Sequence, residues 1–156
     1  MEKKLIFASI IVIAILFFGS FSFIYISDVN AVGNIDVSIK KIGIQDIGLS
    51  YARLKITVDI DNPSDREISN LEAYFKVYIA NTYVGDGTLL KISIPPHSSI
   101  NKDVIITIYY TNVASGVIDA ITTFDFTLSI NGKANIDILF GLLKFSKNFK
   151  ASESYP

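Results

Sequence analysis

The chain has 156 residues, a formal net charge of −1 and no cysteine. Near-neutrality denies it the basic field that a phosphate backbone needs, so nucleic acid is not an expected partner. The absence of cysteine removes disulfides, thiolate metal sites and cysteine nucleophiles, and the length leaves room for one membrane segment and one domain.

Residues 1–4 read as a short basic leader carrying Lys3 and Lys4. Leu5 to Ile26 then runs without a charge. At helical rise this stretch covers about 33 Å, enough to cross a hydrocarbon core of ~30 Å. Tyr25 stands where an interfacial aromatic belongs, and Asp28 follows the span. The positive-inside rule then keeps the N-terminus in the cytoplasm and puts the rest outside the cytoplasmic membrane. A cleaved signal peptide is the rival: Val29-Asn30-Ala31 offers small residues to a peptidase. The apolar run exceeds the ~7–15 residues of a signal peptide's core, which favours an uncleaved anchor. Residues 27–33 read as a linker.

Beyond Gly33 the hydrophobic pattern has period two, the signature of half-buried strands. Ile35, Val37 and Ile39 begin a first strand that extends toward Ile44, with a loop from Gln45 to Ser50. Ala52, Leu54, Ile56, Val58 and Ile60 form one face of a second, stopped by Asn62-Pro63-Ser64-Asp65. A third runs from Leu71 to Ile79 and turns at Asn81-Thr82. A fourth spans Tyr83 to Ile94, with a bulge or bend expected at Gly85-Asp86-Gly87. After Pro95 to Ser99 a fifth covers Ile100 to Thr111.

Val113, Val117, Ile118 and Ile121 fall at helical spacing and predict a short helix over 112–122. Phe124 to Ile130 alternates again, and Asn131-Gly132 is the strongest hairpin signal in the chain. Ala134 to Phe140 returns, and Leu143, Phe145 and Phe149 mark a last strand. Phe75, Phe124, Phe126 and Phe145 are expected in the core, and residues 151–156 read as a mobile polar tail. Seven or eight short strands with one apolar face each make residues 34–150 an all-β domain, a sandwich of antiparallel sheets or a small barrel.

Val58-Asp59-Ile60-Asp61-Asn62-Pro63-Ser64 is a hydrophobic strand ending in Asn-Pro. Tyr78-Ile79-Ala80-Asn81, Gly85-Asp86-Gly87, Ile94-Pro95-Pro96 and Asn131-Gly132-Lys133-Ala134 follow it in order. This series resembles the type-2 late-embryogenesis-abundant family, also called the water-stress and hypersensitive-response domain. The likeness covers about Gly33 to Phe149. It implies a fibronectin-III-like antiparallel β-sandwich with one short helix, here preceded by a transmembrane helix. It also implies a non-enzymatic domain associated with stress tolerance, and it brings no catalytic residue and no cofactor.

Within that motif Asn62, Pro63, Gly85 and Gly87 are expected to be structural, because turn and bulge chemistry explains all four. Asp59, Asp61, Asp65 and Asp86 lack the shaped loop that a calcium ion needs. His97, the single histidine, stands in a proline-rich loop without a neighbouring nucleophile. Lys144, Lys147 and Lys150 form a basic cluster that reads either as a contact for anionic headgroups or as a solvated, protected sheet edge.

No catalytic constellation, metal site or small-molecule substrate is legible. The leading expectation is a membrane-tethered, stress-protective or binding module. The lipid around its helix is one expected partner, and what the domain itself contacts is either lipid or an envelope protein. A stator-like or pilus-associated subunit docking on a surface layer or filament is the alternative.

Overall fold

The computed structural model describes residues 2–155, with side chains for 6, 7 and 9–155. The side chains of Lys3 and Lys4 in the expected leader, and Pro156 of the expected tail, lie outside the described residues. Helix α1 (Glu2–Gly33) is followed by β1 (Asp36–Ile47), β2 (Tyr51–Asn62), β3 (Ile68–Ile79), β4 (Thr82–Ile94) and β5 (Ser98–Tyr109). A turn of 3-10 helix leads to α2 (Ser115–Thr123), and β6 (Phe126–Ile138) and β7 (Leu143–Tyr155) complete the chain. The seven strands form two antiparallel sheets, ordered β1-β2-β5 and β4-β3-β6-β7. The expected all-β sandwich with one short helix after an apolar N-terminal helix is what folds.

Period-two burial produces the core. Along β2, Ala52, Leu54, Ile56, Val58 and Ile60 are buried, and along β3 Ala73, Phe75, Val77 and Ile79 are. Both rows belong to one cluster that also takes Val117 and Ile121 from α2. In β1 the alternation slips: Lys40 is an extra residue in the register with β2, so Ile39 and Ile42 both face inward. A second slip at Gln45 carries the strand on to Ile47, beyond the expected end at Ile44. The bend expected at Gly85-Asp86-Gly87 lies just before it: those residues pair in register with Val77, Lys76 and Phe75, and Val84 is the unmatched residue opposite Val77 and Tyr78.

Asn131-Gly132 is not a turn; it lies inside the continuous strand β6. Phe75 supplies the reason. Its cross-strand neighbours are Gly87 on one side and Gly132 on the other, and Phe149 lies beyond Gly132. A Cβ at Gly87 would stand 2.2 Å from the Phe75 ring, and one at Gly132 would meet Phe75 Cβ at 2.4 Å and Tyr74 O at 2.5 Å. The glycines make room for the aromatic, whose ring meets Phe149 edge-on at 6.1 Å. The β3–β4 hairpin, expected to turn at Asn81-Thr82, turns one residue earlier at Ala80-Asn81, with φ of 47° and 64°, the pair of left-handed residues that a two-residue turn requires.

Three other expectations change. Residues 27–33 are not a linker, because α1 continues unbroken to Gly33. Residues 151–155 are not a loose tail, because Ala151 to Tyr155 pair with Ile130 to Phe126 along the β7 edge. Their polarity is that of a sheet edge facing water. Phe124 is 47% exposed; it ends α2 in a left-handed conformation rather than filling the core.

Replacing Gly132 with alanine is expected to lower the unfolding free energy by roughly 1–3 kcal/mol through overpacking against Phe75. A Cβ at Gly116 meets nothing within 4 Å, so Gly116→Ala is expected to be neutral or slightly stabilising. Urea titration of the two variants in detergent checks the contrast.

Candidate functional site at the helix–sandwich junction

One end of the sandwich collects the crossovers 63–67, joining β2 to β3, and 95–97, joining β4 to β5, together with the 139–142 loop between β6 and β7. The register sets this: Asp36 pairs with Asp61, Asn62 with Ser98, Ile68 with Ile94, and Ser69 with Asp137. Helix α1 arrives at the same end.

Asn62 organises it. Among the described residues it is the buried polar side chain, at 0% exposure. Its amide Nδ2 donates toward Arg66 O at 2.8 Å, Pro95 O at 3.0 Å and Ile94 O at 3.2 Å. Two hydrogens thus serve three carbonyls drawn from both crossovers. Its Oδ1 accepts from Ser64 Oγ at 2.6 Å and Ser64 N at 3.2 Å, closing an Asx-type turn over Pro63. Pro63 lies inside the turn that Asn62 and Ser64 close. Asn62 ties the two sheets together where the chain passes between them.

Arg66, held by its carbonyl on Asn62, turns its guanidinium to the helix. Nε and Nη2 donate to Asp28 Oδ1 at 3.0 and 2.8 Å. The other carboxylate oxygen of Asp28 accepts from the backbone N–H of Leu139 at 2.9 Å. Asp28 thus joins α1 to the 63–67 crossover and to the 139–142 loop at once. Its carboxylate is 14% exposed, against 41% for the Arg66 side chain, so the pair is partly withdrawn from solvent and hydrogen-bonded on both oxygens. Ala31 and Val32 are buried, and Val29 packs on the core. Beyond the junction, Ile6 to Ile26 carries exposed large apolar side chains.

Lys147 finishes the joint. The last turn of α1 has no basic residue of its own. Lys147 Nζ, from β7, donates to Gly33 O at 2.7 Å and to Ile35 O, putting a cation at the negative end of the helix. Lys144 and Lys150 point to the opposite face of β7, beside Asp137 and Asn131. Lys144 Nζ lies 3.9 Å from both Glu72 and Asp137, and Lys150 is about 20 Å farther along the strand. The three lysines do not form one face.

An open cleft of about 490 Å³ lies beside this joint, lined by Asp28, Asp65, Arg66, Glu67, Asp137 and Phe140 among others. His97 borders the same crossovers: its Nε2 is 2.6 Å from Asp65 Oδ1, with both groups mostly in solvent. The other carboxylates are scattered. Asp59 and Asp61 are on β2, and Asp86 is on the other sheet, accepting from Tyr83. No group of three metal-ligating residues exists among the described residues.

The groups with displaced pKa values lie away from the cleft. Tyr51 and Tyr83 are raised, chiefly because each hydroxyl donates to a carboxylate, Asp46 and Asp86. Asp103 is lowered by its hydrogen bonds from Lys55 and then Thr57.

Asp28, Arg66 and the 139–142 loop carry no sequence motif. The readable signal is Val29 and Val32 at helical spacing after Asp28, which continues the helix with an apolar side that a linker has no use for.

No family model and no curated protein matches the chain. Among solved structures, it is similar to At1g01470 from Arabidopsis thaliana at 16% identity and a TM-score of 0.59, over 76% of this chain and 78% of that one. That likeness shows the sandwich fold. A protein from Archaeoglobus fulgidus aligns at 11% identity and a TM-score of 0.45, covering 78% and 96% of the two chains. At2g46140.1, provisionally named a late embryogenesis abundant protein, aligns at 11% and 0.48, covering 100% and 90%.

Asn62→Ala orphans carbonyls of both crossovers and is expected to cost roughly 2–5 kcal/mol, measured by urea unfolding. Asp28→Ala is expected to raise amide hydrogen exchange across residues 27–33 while the β2 and β3 amides keep their protection, because it releases the helix without opening the core.

Proposed function

We propose that this protein is a membrane-tethered, non-enzymatic β-sandwich module of the late-embryogenesis-abundant type 2 kind, working by contact at the membrane surface in protecting or binding what lies there. The observation that carries this reading is the joint itself. An apolar helix long enough to span a bilayer enters the sandwich without a flexible linker and is held by Asp28, Arg66 and Lys147. A module that only needed to be near the membrane would be served by a loose tether. This one is held in a set orientation, so that the same end always faces the lipid.

The family assignment rests on the order of motifs around Asn62-Pro63 and is supported by the sandwich likeness at a TM-score of 0.59. Retention of the helix is supported by the burial of Ala31 and Val32 against the domain. A cut in that region would remove packing from the core. The excess of lysine before the span favours an N-terminus inside and a domain outside.

The chain has no cysteine, so one can be introduced as a reporter. Leu49, in the loop at the far end of the sandwich, is fully exposed. In intact cells Leu49→Cys is expected to react with a membrane-impermeant maleimide and to stay in the membrane fraction through a carbonate wash. Labelling only after lysis would reverse the orientation, and release by carbonate would remove the tether.

A further inference from the structure

We infer that the loop Leu139–Leu143 is a second membrane contact, an apolar finger that enters the headgroup layer beside the helix. The inference rests on the membrane-tethered reading above and adds to it a surface whose occupant is the lipid of the bilayer that α1 crosses.

The residues are apolar where a loop between strands is ordinarily polar. Leu139 is buried at 8%, whereas Phe140 is 80% exposed, Leu142 69% and Leu143 48%. The backbone is specially shaped to produce this split. Leu139, Phe140 and Gly141 stand in succession at φ of 50°, 58° and 85°. Left-handed conformations are costly for residues with bulky side chains and persist only where surroundings hold them. Here Asp28 accepts from Leu139 N, while Gly141 N donates to Ile138 O and Leu142 N to Leu139 O. The chain accepts strain to turn Leu139 inward and Phe140 outward.

The same hydrogen bond sets the depth. Asp28 is two residues past Ile26, or about 3 Å farther along the helix axis. The polar layer on each side of a bilayer is roughly 5–7 Å thick. With the apolar run of α1 filling the hydrocarbon, Asp28 lies within that layer, and so does the backbone 2.9 Å from it. Phe140 and Leu142 project from that backbone with no protein over them. Tyr25 and Ile26, within one turn before Asp28, are exposed apolar side chains as well.

The charges nearby indicate which lipid chemistry matters. Asp65, Glu67 and Asp137 line the cleft with Phe140, while Lys144 is the cation that follows the loop. Such a mixed surface gives no strong attraction to anionic headgroups. Contact is carried by apolar burial, so it holds on zwitterionic lipid and changes little with salt.

The protein contains no tryptophan, so single reporters can be placed in the full chain. Phe140→Trp, Leu142→Trp, Leu49→Trp at the far end and Phe18→Trp in the helix would each be reconstituted into phosphatidylcholine vesicles. Their acyl chains would be brominated near the headgroup. Circular dichroism checks that each variant is folded. The expected result is that Phe140→Trp and Leu142→Trp emit to the blue of Leu49→Trp and are quenched roughly fivefold more strongly, with no loss at high salt.

If Phe18→Trp is quenched but both loop reporters match Leu49→Trp, the finger is disproved and the tether stands. Blue-shifted loop reporters that bromine does not quench would mean that a second copy of the chain covers the loop, which also overturns the inference. An unquenched Phe18→Trp would remove the tether and the finger together.

Discussion

A single buried amide holds the helix-bearing end of this sandwich together. Two sheets packed on a common core still need fastening where the chain passes between them, because crossover segments have no ladder to satisfy their carbonyls. Asn62 is at that point, with carbonyls of both crossovers on its Nδ2 and the Ser64 turn on its Oδ1. An amide can do this without a charge, so its burial carries no ion-desolvation cost. Because Asn62 fixes the backbone of Arg66, it also fixes where the guanidinium points. The path from Asn62 through Arg66 and Asp28 to Leu139 N couples the sheet corner, the helix and the apolar loop.

Through this path an apolar helix long enough to cross a membrane runs without a break into the sandwich. The transition occupies only residues 27–33. Over that distance the helix passes from exposed apolar side chains, the last of them Ile26, to a sandwich end that takes Ala31 and Val32 into burial. The helix terminus, with its unsatisfied carbonyls, would be costly in an apolar setting. Lys147 meets it from a neighbouring strand, so the cation required at this helix end comes from far away in sequence. A junction held at Asp28 and at Gly33 makes the orientation of the sandwich relative to the helix a property of the fold.

Much of the architecture was legible because a half-buried strand writes its alternation directly into sequence. The rows led by Ala52 and Leu71 are read that way, and α2 is read from its separate helical spacing; the slip at Val84 is hinted at only by the glycines that follow it. Asn131-Gly132 reads as a turn because a glycine after asparagine marks one when only neighbours in sequence are considered. The actual partner of Gly132 is Phe75, on another strand. The polar residues after Phe149 resemble a tail until β6 is present to pair with them. At the junction, Asn62 and Pro63 were visible as a motif, whereas Asp28, Arg66 and Lys147 were not. Their roles arise from contacts spanning 38 and 114 residues, and no local pattern records such a meeting. Lys144, Lys147 and Lys150 resembled one basic patch in the sequence, but the pleat of β7 puts Lys147 on the opposite face from the other two.

The central claim is that the helix and the sandwich are one rigid body, and a distance measurement tests it most directly. Spin labels at Ser22→Cys on the exposed side of the helix and Lys102→Cys on β5 can be read by double electron–electron resonance in reconstituted vesicles. A rigid junction gives one narrow distance distribution that broadens when Asp28 is replaced by alanine. A broad distribution in the otherwise unaltered protein, unchanged by that replacement, would show that residues 27–33 act as a hinge and would contradict the account.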